Sequence, residues 1–430
     1  MDPAPQAATE LRLLPQSLED LGLPEVFLAN LALKHAFYLD VFQLGDLSER
    51  LRLPPSIMNQ ILEYLQRDKY VEVRGADSMR LTVSAVQFSR RQALTETGKR
   101  RAAMLLEYDA YVGPAPVTLI DYWRQVQSQS IKTALVTPAR LSQVFEGLVM
   151  APEVLAQLGP AMVSGKPLFL YGPPGNGKTT IALRLREIWD DAVLVPYAIL
   201  VEGNVIRVFD EISHQPLGDP GSPGPERCDR RWVRCRRPRV LVGGELTLDM
   251  LDLAFNPSLK YYEAPLQLKA NNGMFIVDDF GRQQLTPQEL LNRWIFPLES
   301  HHDFLRLHTG QKFTIPFDQL IVFATNLEPS SLLDEAFLRR LRSKVKVSHV
   351  TREQYVEVFR LVCRDSGLAF DQEAVDYLIA EHYEGPGRPM ANCQPRDLVE
   401  QILDYSRFHG LEPVLNPENL DRACRNYFVE

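Results

Sequence analysis

Apolar and polar positions along this chain fall into three regimes. Near the N-terminus, apolar residues recur at helical spacing over Pro24–Leu39, over the short Gly45–Leu51 and over Pro54–Arg67. The last of these starts on prolines, where a missing N–H costs little. Tyr70–Arg74 alternates as a strand does, Gly75–Met79 reads as a turn, and Leu81–Phe88 is expected to return as a second strand. Leu94–Ala102 opens one more helix. From about residue 141 short apolar runs alternate with helical stretches, which predicts a parallel sheet covered by helices. Pro167–Tyr171, Gly273–Asp279 and Gln319–Asn326 are such runs, and Thr180–Trp189 has helical spacing. Ala198–Phe209 alternates around Glu202-Gly203-Asn204 and reads as a hairpin. From Thr351 helical spacing dominates, in Tyr355–Cys363, Glu373–His382 and Pro395–Arg407.

These regimes suggest a domain plan. Residues 1–20, rich in Ala, Pro and Gln, read as a flexible tail. Residues 21–110 form a small α+β unit. Residues 111–140 are expected to be a linker, because Tyr111–Val117 is punctuated by Pro and Gly. Residues 141–350 form an α/β core and 351–430 a helical domain. Composition fits a soluble globular protein, with 45% hydrophobic and 24% charged residues among 430. No apolar run nears the ~18–20 residues that span a bilayer, so no membrane insertion is expected. The N-terminus has neither the basic nor the apolar stretch of a signal peptide. Cys228, Cys235, Cys363, Cys393 and Cys424 are few, odd in number and not at metal-site spacing, which fits a reducing cytoplasm. The net charge of −8 argues against a protein that coats DNA generally.

The chemistry lies in the middle regime. Gly172, Pro173, Pro174, Gly175, Asn176, Gly177, Lys178 and Thr179 fit G-x-x-x-x-G-K-[ST], between an apolar strand and a helix that Thr180 continues. Backbone N–H groups of such a loop turn toward phosphate oxygens, and the helix adds its positive end. Lys178 is expected to reach the β- and γ-phosphates and Thr179 to hold Mg²⁺. Gly273–Asp279 ends in two acids, so a buried strand delivers carboxylates to the same edge. Asp278 is the expected second metal ligand, and Asp279 stands where a base would polarise the attacking water. Asn326 ends a further strand and is a candidate for the γ-phosphate and that water. Arg339 or Arg340 is a candidate arginine finger reaching a neighbouring subunit, and Arg396, near a helix start, is a candidate for folding back onto the nucleotide.

These four strings in this order resemble an AAA+ ATPase: Walker A, Walker B, sensor 1 with an adjacent finger, and sensor 2 in a helical lid. The resemblance covers roughly residues 145–430. It implies an α/β P-loop core with a parallel sheet and a lid, Mg-ATP at subunit interfaces, and a homo-oligomeric ring, usually a hexamer. It also places the adenine near Phe145–Met150. The order of elements in residues 21–110, with Leu94-Thr95 followed by Gly98-Lys99 and Ala102, resembles a winged helix. Together with the FLYGPPGNGKT core, it is similar to bacterial chaperone-like AAA+ ATPases. The expected function is remodelling of a protein client docked through the winged helix.

Two departures matter. Walker B usually ends Asp-Glu, whereas this chain has Asp278-Asp279, and the shorter side chain sits about 1 Å further from the water, a displacement that can cost ~10²-fold in rate. An ATP-gated assembly switch with slow hydrolysis is therefore an alternative. Second, 100 residues separate Lys178 from Asp278, leaving room for an insertion at about 198–240. It holds the hairpin, a Pro/Gly loop at 216–225 and the basic run Pro225–Arg239, with seven arginines against Glu226 and Asp229. That run reads either as a solvated or intersubunit loop or as a contact for nucleic acid or an acidic client, with Trp232 available to stack. A DNA-associated loader or helper is thus a further alternative. Yet residues 1–110 carry 13 Lys and Arg against 15 Asp and Glu, which favours protein docking over DNA binding. Lys260-Tyr261-Tyr262 reads either as a pore-loop contact or as core packing.

Overall fold

The computed structural model describes residues 12–76, 90–218, 228–332 and 341–428. The N-terminal unit packs α1 (Glu25–Phe37), α2 (Leu44–Leu51) and α3 (Pro55–Arg67) around Leu28, Leu31, Leu47, Ile57 and Ile61, all essentially inaccessible. β1 (Val71–Ala76) then pairs antiparallel with β2 (Arg90–Leu94), and α4 (Glu96–Tyr108) follows, capped by the Thr95 hydroxyl. The second strand expected at Leu81–Phe88 lies outside the described residues.

The stretch expected as a linker contains β3 (Val117–Thr118) and α5 (Leu119–Ser128). Tyr122 and Val126 of α5 are buried against the second sheet described below. Gln129, just beyond, donates to Leu194 O and Asn272 Oδ1. The prolines before β3 interrupt the pattern but not the packing.

The main sheet contains β4 (Leu168–Tyr171), β9 (Arg239–Val242), β12 (Met274–Val277), β15 (Leu320–Thr325) and β16 (Ser343–Lys346), all parallel, in the spatial order β16-β4-β15-β12-β9. β12 and β15 are buried along their whole length, as continuous apolar strands in a sheet covered on both faces must be. One face, with Leu168, Leu170, Ile276 and Val322, meets α6 (Pro152–Ser164) and α7 (Lys178–Leu185). The other, with Phe169, Phe275 and Phe323, meets Trp294 on α8 (Pro287–Ser300). Because β4 lies between β15 and β16, the loops after β4, β12 and β15 converge at one edge.

The hairpin expected at 198–209 is present as β6 (Ala198–Val201) and β7 (Asn204–Arg207). Its turn residues Glu202 and Gly203 both have positive φ, as a two-residue hairpin loop requires. It joins β3, β10 (Ala254–Phe255) and β11 (Tyr262–Glu263) in a second five-stranded sheet. Between these lie the antiparallel pair β5 (Ala192–Pro196) and β8 (Trp232–Arg236), and β13 (His302–Arg306) pairs with β14 (Lys312–Pro316). Ala198 and Val205 belong to the same buried cluster as the N-terminal helices, so the second sheet bridges the N-terminal unit and the core.

The C-terminal domain is helical throughout: α9 (Arg352–Ser366), α10 (Gln372–Ile379), α11 (Gln394–His409) and α12 (Pro417–Tyr427). Phe359, Val375, Leu378, Leu398 and Leu420 fill its interior. Thr351 and Gln354 form a capping box at the start of α9, and Gly367 in the left-handed conformation ends it. Among the described residues no helix is long and apolar enough to cross a membrane.

Candidate nucleotide site

The loop between β4 and α7 turns sharply because Gly172, Gly175 and Gly177 all take positive φ. At Gly172 a side chain is excluded by close approach as well: a Cβ there would lie 2.2 Å from Val347 O. Asn176 is buried and donates to Pro173 O and Pro174 O across the loop. The Lys178 ammonium donates to Gly172 O at 2.9 Å and Pro173 O at 2.7 Å. Burial lowers its pKa, while Asp279 and Asp278 oppose the shift. Thr179, on the first turn of α7, donates to Asp278, with both carboxylate oxygens 2.9 Å away. Thr180 lines the same cavity. A hydroxyl and a carboxylate at this separation are hard oxygen donors of the kind Mg²⁺ takes, with room for phosphate and water at the other positions.

Asp279 follows on the turn after β12 with φ 48°, in the left-handed region that Asp tolerates better than most residues. Asn326 Nδ2 donates to Asp279 Oδ1 at 3.2 Å, so these two candidates meet. Gln283 closes the turn beneath them. Its Nε2 donates to Asp278 O at 2.8 Å and Asp279 O at 3.2 Å, and its Oε1 accepts Gly281 N–H at 2.8 Å. Phe280 N–H donates to Ala324 O, and Thr325 Oγ1 donates to Phe280 O, tying the acidic turn to β15. Gln283 had no sequence signal: it sits in an irregular turn without periodicity or motif.

Lys178, Thr179, Asp278, Asp279 and Asn326 line one cavity of about 860 Å³. Gly147–Met150, within the segment expected beside the adenine, form part of its wall, while Phe145 itself is buried behind it. Arg396, in the first turn of α11, also lines it. The lid reaches the phosphate loop directly. Cys393 N–H donates to Gly175 O at 2.9 Å, and Asn392 N–H donates to Asn176 Oδ1 at 3.3 Å. Lys344, Lys346 and His349 line the cavity too, and strand-end position alone gave no reason to name them. Arg339 and Arg340 lie outside the described residues.

The basic run is divided: Arg231 and Arg237 are buried, whereas Arg234, Arg236 and Arg239 are exposed. Arg231 is buried and pairs with Asp229 at 2.8 Å. Arg237, also buried, grips both oxygens of Asp191 and donates to Gln129 O and Asn272 O. Arg230 makes a bidentate contact with Glu49 of α2. Trp232, expected to be available for stacking, is buried beneath the Arg12 guanidinium. Along β8, Val233 and Cys235 face inward while Arg234 and Arg236 face solvent; Trp232 shares the outer face and is covered there by Arg12. Tyr262 is buried and bonded to His308, and Tyr261 packs edge-on against Tyr111. Core packing, not a pore contact, describes this pair.

The α/β sheet, the P-loop at its edge and the surrounding helices fit an AAA+ P-loop core. A family model described as a domain of unknown function (DUF8689) matches residues 351–426, the helical domain. No curated protein matches the chain by sequence. Solved structures similar to it include NtrX from Brucella abortus, at 16% identity and TM-score 0.40, covering 71% of this chain. The match spans only 59% of that NtrX chain. The Thermotoga maritima RuvB Holliday junction branch migration motor is similar at 14% identity and TM-score 0.37, over 65% of this chain and 71% of its own. Domain III of the Thermotoga maritima replication initiation protein DnaA is similar at 14% identity and TM-score 0.37, over 69% of this chain and 100% of that domain.

Proposed function

We propose that this chain is an AAA+ ATPase that binds Mg-ATP, assembles into a ring, usually a hexamer in such proteins, and remodels a protein client. The observation that carries this reading is the convergence of Lys178, Thr179, Asp278, Asp279, Asn326 and Arg396 on one cavity. Lys178 and the loop amides would bind the phosphates, releasing the lysine from Gly172 O and Pro173 O. Thr179 and Asp278 would hold Mg²⁺, which neutralises phosphate charge during transfer. Asp279 would accept a proton from the attacking water, and Asn326 would orient both. Arg339 or Arg340 from the adjacent subunit, and Arg396 from the lid, would stabilise charge on the γ-phosphate.

Residues 21–110 serve in this reading as a winged-helix docking unit. Internal use of Arg230, Arg231 and Arg237 supports a protein client over the DNA-loader alternative. The test is phosphate release by wild type, Lys178→Ala and Asp279→Asn: turnover lost in both variants supports the reading, and a wild type that releases none overturns it. The contact between Asn326 and Asp279 keeps the slow-switch reading alive, since it engages an already short side chain. Asp279→Glu separates the two: a rise in turnover marks a site limited by reach.

A further inference from the structure

The lining of the nucleotide cavity has two chemistries. The phosphate loop, β12 and β15 contribute the polar groups already described. A second part is apolar: Leu148, Val149 and Met150 line it together with Val358, Leu361 and Val362 of α9, all half-buried. Apolar side chains from two separate elements suit the flat base of a nucleotide, not its phosphates. Residues 147–150 belong to no helix or strand, and Gly147 turns them with φ 74°. A wall built on irregular backbone needs an anchor to keep its distance from the phosphate loop.

Arg184 supplies one. Its Nη1 donates to Val144 O at 3.3 Å and to Glu146 O at 3.2 Å, just before the wall begins. Nη1 carries two N–H groups, so each carbonyl has its own donor. Arg184 lies in the last turn of α7, whereas Lys178 and Thr179 lie in its first. One rigid helix therefore sets the phosphate groups at its start and the approach to the apolar wall at its end. Arg184 itself is not among the residues that line the cavity.

We propose that Arg184 is a positioning residue for the nucleotide base: it fixes the wall of residues 147–150 relative to the phosphate loop and so sets affinity without touching the ligand. The inference rests on the nucleotide reading of this cavity. Without the guanidinium, two carbonyls lose their donors and the glycine-hinged segment is free to shift. A gap of 0.5–1 Å opened against the base forfeits about a quarter to a half of each dispersion contact. Phosphate binding, set by the first turn of α7, is untouched.

The test is calorimetric titration of the full chain with ATP, ADP and tripolyphosphate, each with magnesium. Only the first two carry a base. Arg184→Met should weaken ATP and ADP by the same factor, about tenfold, and leave tripolyphosphate within about twofold. Retained tripolyphosphate binding also certifies the fold of the variant. Arg184→Lys keeps a cationic donor without the fork and should fall between wild type and Arg184→Met. In phosphate release, Arg184→Met should raise KM about tenfold with kcat changed less than about twofold. Unchanged ATP and ADP affinity would show that the wall holds without the arginine. An equal loss for tripolyphosphate would show that Arg184 supports the whole helix instead. Either result overturns the proposal alone, whereas a wild type that binds neither ATP nor ADP overturns the nucleotide reading and this inference with it.

Discussion

Thr179 and Asp278 meet symmetrically, the threonine hydroxyl 2.9 Å from each carboxylate oxygen. One hydroxyl proton is shared between the two oxygens, and a cation between the pair would replace that hydrogen bond, taking the hydroxyl and carboxylate oxygens as ligands while the hydroxyl turns its proton away. Magnesium should therefore tighten ATP binding in wild type and not in Thr179→Ala or Asp278→Asn. All three should bind comparably in EDTA. Equal magnesium dependence in wild type and variants, by titration of a fluorescent ATP analogue, would remove both residues from the metal site.

Gln283 acts on the acidic turn without lining the nucleotide cavity. Gln283→Leu loses the three hydrogen bonds that hold Asp278, Asp279 and Gly281. Displacing Asp279 by ~1 Å should lower kcat between about tenfold and a hundredfold, with KM changed less than about twofold. A KM that rises with an unchanged kcat would mean the turn does not position the base. Gln283→Glu, which keeps only the acceptor, should fall between the two.

Subunit mixing tests the finger. Arg339→Ala and Arg340→Ala protomers have an intact phosphate loop, and Lys178→Ala protomers have an intact finger. Lys178→Ala and whichever arginine variant removes the finger should each be nearly inactive alone, since a finger contributes ~10³–10⁵ in rate, while the other arginine variant keeps turnover. Mixed with Lys178→Ala, the variant that removed the true finger should regain phosphate release. No recovery with either, in assemblies shown to exchange subunits, would argue that neither arginine acts across an interface.

Arg237 is the internal staple of the basic run. Its guanidinium joins Asp191 to the carbonyls of Gln129 and Asn272. Removing it strands those partners, at a cost of about 3 kcal/mol. Arg237→Ala should lower the urea midpoint without changing the slope. Exposed Arg234→Ala should leave the midpoint within error. Equal effects from the two would refute the division into internal and surface arginines.

Two buried histidines make stability fall in mild acid. Burial lowers His35 and His214 to about 4. For His214 the geometry agrees: Nδ1 accepts the Asp210 N–H and Nε2 donates to Lys269 O, which only a neutral ring can do. Because the unfolded chain binds these protons at about 6.5, their contribution is complete above that pH. It falls away as pH drops toward 4, by on the order of 3 kcal/mol each. Urea midpoints should decline from pH 7 to pH 5, and the two imidazole resonances should titrate near 4. Midpoints near 6.5 would contradict this.

The P-loop, its flanking strand and helix, the acidic strand end and the hairpin were all legible, because each depends on neighbours in sequence. Asn326 was placed by the same logic, at the end of a uniformly apolar strand. Other features depend on partners far along the chain. Arg237 looks like a surface cation until Asp191 and Asn272 are brought beside it. Tyr262 looks like a gripping aromatic until β11 pairs with β7. The helix at 119–128 was hidden behind Pro114 and Pro116, and Gln283 works through backbone carbonyls, which no side-chain pattern encodes.

Gly175 gives the phosphate loop a second duty. A Cβ there would lie 2.6 Å from Cys393 Sγ, and its carbonyl already accepts the Cys393 N–H. The loop is thus a fulcrum on which the α9–α12 bundle rests. In the proposed function, a rearrangement of the loop around a triphosphate would tilt that bundle as a lever, and a load on the bundle would reach Lys178. Force and chemistry would then be exchanged through two backbone N–H donors, those of Asn392 and Cys393, and the space that one missing methyl group leaves open.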